Sequence, residues 1–257
     1  MASSPTSIYR PTVSSAPDPT SRVLRHERLI VTTAVALLAG LAWLFVLADA
    51  GMPEAMSMAA MAPPPFAALL LMWWVMMVAM MLPSAAPAIL LYARVRSARG
   101  SDTKVAQSWV FVAGYLAAWL IFAIVAAGAQ RLLTGPSMAL DNRWAEAALL
   151  IAAGLYQLSP LKSACLGHCR APAQFISLHW RGGATGAVRL GALHGAYCVG
   201  CCWALMVLLF VGGIMNIGWI VVLTLIVATE KLAPGGPWIG RAAGLGLIAW
   251  GASLLLG

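Results

Sequence analysis

VRLGALHGAYCVGCCWALMVLLFV, residues 188–211, carries one charged residue, Arg189, near its start and is apolar over most of the rest. A hydrocarbon core about 30 Å thick needs roughly 20 apolar residues in helical form, so this stretch reads as a membrane-spanning helix. Its chemistry is unusual for a span. His194, Cys198 and Cys202 step by four, Cys201 joins their face, and Met206 continues it one turn later. Residues three and four apart share a helix face. One side of an apolar helix thus carries imidazole, thiols and a thioether. A lone cysteine is ordinarily a small buried hydrophobe. Here all five cysteines of the chain fall between 165 and 202, together with three of its four histidines, and that crowding favours a role in chemistry.

The chain around this helix has the same character. It is 61% hydrophobic and 9% charged over 257 residues, against roughly one quarter charged in an average soluble domain. Apolar stretches predict spans at about 29–48, 66–93, 107–131, 144–161, 188–211, 215–231 and 238–256. The expected fold is therefore an all-α polytopic membrane helix bundle of about seven transmembrane helices, a single domain over 29–257. Residues 1–28, rich in Ser, Pro and Thr, read as a disordered cytoplasmic tail, and Leu29 begins an anchor that stays in place.

The net charge of +8 has a topological explanation. Arg94, Arg96, Arg99 and Lys104 follow the second span, Lys162, Arg170, Arg181 and Arg189 the fourth, and Lys231 and Arg241 the sixth. With four arginines in the tail, only Arg131 and Arg143 are left for the other side. This positive-inside bias puts the amino terminus in the cytoplasm. No basic stripe with interleaved aromatics argues for nucleic acid.

Two look-alike clusters define the candidate site. Cys165-Leu166-Gly167-His168-Cys169 and Cys198-Val199-Gly200-Cys201-Cys202 share the pattern Cys, aliphatic, Gly, Cys or His, Cys. The fourth span ends near Pro160 and the fifth starts on that same side, so six ligands can meet if the 170–187 loop folds beneath them. Within that loop, 172–180 reads as an amphipathic element ended by Gly182-Gly183. Thiolate with imidazole suits zinc or copper, and added thioether favours Cu(I). Methionine is abundant in the right place. Met72, Met76 and Met80 form one stripe of the second span and Met77 and Met81 another, while Met52, Met56, Met58 and Met61 crowd the loop before it. Methionine also fills irregular core gaps, but nine in thirty residues exceeds that need. A route from the loop methionines through the stripe to the thiols follows as an expectation.

Pro83 and Pro87 signal a kink in the second span, whose freed carbonyls need partners from neighbouring helices. Glu230 stands beside Lys231 at the end of the sixth span, where the two either neutralise one another or contribute to function. Glu230 is a candidate oxygen ligand, or the carboxylate that fixes a histidine tautomer.

Several classes are excluded. No phosphate-cradling Gly-x-x-x-x-Gly-Lys-Ser/Thr loop is present, no lysine lies in mid-span for a retinal Schiff base, and no Ser/His/Asp set suggests a hydrolase. Binding is expected rather than catalysis. Two alternatives stay open: a membrane thiol-disulfide oxidoreductase using Cys198 and Cys201, and an assembly factor stapled by zinc.

Met-Met-Val-Ala-Met-Met-Leu-Pro at 76–83, Cys-Leu-Gly-His-Cys at 165–169, Gly-Ala-Tyr-Cys-Val-Gly-Cys-Cys-Trp at 195–203, and Glu230-Lys231 ahead of Pro234-Gly235-Gly236 together resemble a bacterial family of predicted metal-binding integral membrane proteins. The resemblance covers the chain from about residue 70 to its end. It implies a multi-span protein of the inner membrane whose metal is copper, with Cys165, His168, Cys169, Cys198, Cys201 and Cys202 as ligands and the methionines and Glu230 as auxiliaries. Copper acquisition or delivery, with a copper chaperone or a client copper enzyme as partner, is the function expected.

Overall fold

The computed structural model describes residues 19–50, 65–98, 104–133, 139–140 and 142–256. All of the regular structure among them is helical. In chain order the helices are α1 Pro19–Ala50, α2 Phe66–Ala98, α3 Lys104–Leu133, α4 Arg143–Leu158, α5 Pro160–Arg170, α6 Pro172–His179, α7 Gly183–Val207, the single turn α8 Leu209–Gly212, α9 Ile217–Leu232 and α10 Gly236–Leu256. The loop methionines Met52, Met56, Met58 and Met61 lie outside the described residues, as does most of the expected tail. The backbone of α1 is already helical from Pro19.

Among the described residues five helices are long and apolar enough to cross a membrane, and the bent pair α4–α5 makes up to six. The sixth expected span, α9, has 16 residues. At 1.5 Å per residue it reaches about 24 Å, short of a full hydrocarbon core. Large apolar side chains such as Leu37, Leu41, Ile121, Val125 and Leu245 are exposed on the outer faces. Such a surface is compatible with membrane insertion.

The α4–α5 break has a local cause. Pro160 has no N–H and is suited to the first helical position, while the Ser159 side chain accepts from the Lys162 backbone N–H at 3.2 Å. Ser159 therefore caps a new helix, and the chain turns by 61°. Asn142 and Asn216 cap α4 and α9 in the same way. The helix α2, in contrast, runs on through Pro83 and Pro87. Near them the Met81 carbonyl accepts from Ser84 Oγ at 2.9 Å and from Tyr115 Oη of α3 at 3.2 Å.

Small residues set the closest packings. A Cβ at Gly114, Gly191 or Gly195 would overlap the facing helix in the α3–α7 contact. The glycines of α10 do the same within the chain: Gly244 lies against Gly154 and Gln157 of α4, and Gly251 against Ala147 and Leu150. Close approach of backbones through small residues is how apolar helices associate where no hydrophobic drive separates them from lipid.

Candidate metal centre

The two cysteine clusters meet. Helix α5 packs on α7, and Cys169 Sγ stands 3.9 Å from Cys201 Sγ. Gly200 makes the approach possible, because a Cβ there would come within 2.9 Å of the Cys165 sulfur. Its carbonyl also accepts from Tyr156 Oη of α4 at 2.5 Å. One glycine thus seats α4 and α5 on α7.

Cys198 is the hub. Its thiol lies 3.1 Å from Tyr115 Oη and 3.0 Å from Lys231 Nζ, and its carbonyl accepts from two neighbouring thiols. Cys202 Sγ reaches Met81 Sδ at 3.6 Å. All three thiols of α7 are about 1% exposed, and Met81 is fully buried. Sulfurs that share one ion at bonds of about 2.3 Å stand roughly 3.8 to 4.6 Å apart as the angle opens from tetrahedral to linear. The Cys169–Cys201 separation falls at the near end of that range, and the Met81–Cys202 separation lies about 0.2 Å short of it.

The thiols are held by the protein itself. Cys201 Sγ and Cys202 Sγ each donate to the Cys198 carbonyl, at 3.1 and 2.9 Å, as short polar side chains in helices do. Among the described residues no group of three or more His, Cys, Asp and Glu side chains is arranged to hold a metal ion. The convergence of soft donors that the fold builds includes a thioether.

The histidines stand around this cluster. His168 Nδ1 lies 2.9 Å from the Ala164 carbonyl, and the ring stacks on Tyr197 with centroids 4.1 Å apart and planes at 4°. His194 is buried between Phe111, Tyr115 and Phe175, with Nδ1 lacking a hydrogen-bond partner. The amphipathic element of the 170–187 loop is α6, whose Phe175 packs against both His168 and His194. Met72, Met76, Met80 and Met206 are buried in the core.

Glu230 and Lys231 do not neutralise one another. The Glu230 carboxylate is paired with Lys162 Nζ at 2.5 Å and accepts from Gln157 Nε2 at 2.7 Å. Gln157 Oε1 in turn accepts from Lys162. Both carboxylate oxygens are occupied, so Glu230 closes the α4–α5 break onto α9 instead of facing a histidine. Lys231 points the other way. Its ammonium donates to Cys198 Sγ, to Ser84 Oγ at 3.2 Å and to Met81 Sδ at 3.9 Å. The sequence set Met81 on the secondary stripe, offered Lys231 only as the neighbour of Glu230, and gave no sign of Ser84 or Tyr115 as contacts of the site. The proline signal beside Met81 marked the right turn of α2, but nothing local tied the lysine to the thiols.

Residues 70–254 match the family described as PpoB2, copper chaperone. The chain belongs to that family. No curated protein and no solved structure is detectably similar to it. A copper-related function therefore rests on the family, and the resemblance read from the motifs agrees with it over nearly the same residues.

Proposed function

We propose that this copper chaperone family member binds Cu(I) inside the membrane and hands it on, with Met81, Cys198 and Cys202 as the inner ligands. Cys169 and Cys201 form a second sulfur pair beside them, and Cys165, His168 and His194 flank the entry. The observation that carries the reading is the Met81 thioether 3.6 Å from the Cys202 thiol in a fully buried setting. Thiolate with thioether favours Cu(I) over zinc. In this reading residues 29–257 form a domain of the bacterial inner membrane with the amino terminus in the cytoplasm, as the basic loops suggest. Transfer to a client copper enzyme proceeds by ligand exchange, because the chain has no nucleotide-binding loop to drive it.

The test is anaerobic Cu(I) titration of the detergent-purified protein against a chromophoric chelator. One tight equivalent is expected, weakened at least tenfold by Cys198→Ser, Cys202→Ser or Met81→Leu. Retention of full affinity in all three would overturn the assignment. The close Cys169–Cys201 pair favours a second reading as a thiol oxidoreductase. In that case the protein would carry a reversible disulfide and bind no copper.

A further inference from the structure

Among the described residues the ammonium of Lys231 meets no carboxylate. It is buried, and its contacts are a thiol sulfur, a thioether sulfur and a hydroxyl. The nearby Glu230 carboxylate is already taken by Lys162, and Arg170 is spent on the carbonyls of Glu230 and Pro234. A lysine ammonium has three donors and one charge. An uncompensated charge in a dry site is strongly disfavoured. The ammonium therefore needs an anion beside it, and the Cys198 sulfur at 3.0 Å, as thiolate, is the group placed to supply one; whatever ion enters must leave that balance intact.

We infer that Lys231 selects the charge of the bound metal, admitting a monovalent soft cation and rejecting a divalent one. This rests on the copper site proposed above. Two thiolates, Cys198 and Cys202, with a monovalent ion carry a net charge of minus one, which the ammonium neutralises. The same thiolates with a divalent ion are already neutral, and the ammonium is then left buried without a counter-charge. Because both ions use the same thiolates, the cost of deprotonating them cancels in the comparison. The discrimination comes from the ammonium alone. One extra unit of like charge about 5 Å away, at an effective dielectric of about 20, corresponds to roughly a two- to threehundredfold preference.

The experiment compares dissociation constants for Cu(I) and Zn(II), each by chelator competition on the whole protein in detergent under anaerobic conditions. Lys231→Met keeps length and bulk but removes the charge. Its ratio of Zn(II) to Cu(I) dissociation constants is expected to fall at least tenfold, and Lys231→Arg is expected to keep the wild-type ratio. Ser84→Asp leaves Lys231 in place but gives the ammonium its own carboxylate, and is expected to shift the ratio in the same direction. It also serves if Lys231→Met does not fold. Ratios within threefold of wild type in the folded variants would sink the inference while leaving the copper site standing. Cu(I) binding that survives both Cys198→Ser and Cys202→Ser would instead sink the site.

Discussion

Removing either partner of the Lys162–Glu230 pair is expected to destabilise the protein far more than removing both. The side chains are 3% and 2% exposed and stand 2.5 Å apart, and Gln157 bonds to each. Taking one charge from such a pair leaves the other buried without a counter-charge. Measured cases cost about 3 to 5 kcal/mol. Replacing both with apolar groups of similar size is near neutral, since no charge is then left to desolvate. Each kcal/mol shifts the midpoint of a chain of this size by about 2 to 4 °C. Lys162→Met and Glu230→Gln should each therefore lower the unfolding midpoint by roughly 10 °C, and Lys162→Met/Glu230→Leu should recover most of the loss. The assay is thermal unfolding of the metal-free, reduced protein in detergent, with a dye that reacts as buried thiols become exposed. Additive losses in the double variant, or single losses of about 1 °C, would refute the claim that this pair fastens the α4–α5 break to α9.

Gly191→Ala should separate α3 from α7, because its Cβ would collide with the Phe111 backbone, whereas Gly128→Ala meets nothing within 4 Å. The first is expected to cost at least about 1 to 3 kcal/mol, as overpacked cores do, and the second to leave the unfolding midpoint unchanged; equal effects would contradict the packing. Replacing Met72, Met76 and Met80 together with Leu is close to volume-conserving and leaves Met81 in place. In stopped-flow measurements it should slow Cu(I) loading several-fold while the equilibrium affinity stays within about threefold of wild type, and an unchanged rate would remove the stripe from the entry path.

Much of the fold was legible because it depends on local properties. Apolar runs marked the long helices, Pro160 marked the end of the fourth span, and the four-residue steps of His194, Cys198 and Cys202 marked a shared face. The match of the cysteine clusters across 165–169 and 198–202 was also readable, and the structure does bring them together at Cys169 and Cys201. The sixth span was harder, since α9 is apolar but only 16 residues long. Its beginning is set by the turn at Gly213, whose φ of 89° is one that glycine adopts readily.

Periodicity alone determined that this chain builds apolar helices and gathers three of its five thiols on one of them, because both depend only on spacing along the chain. It did not determine which sulfur meets which. Neighbours on a helix point about 100° apart, so the adjacent residues Glu230 and Lys231 face different partners, and the rotation of α9 against α2, α4 and α7 chooses them. The rotation of α2 against α7 likewise presents Met81 to Cys202. Only tertiary packing could place an ammonium from residue 231 and a thioether from residue 81 beside the thiol of residue 198, because nothing in the local sequence encodes the angle between helices so far apart in the chain.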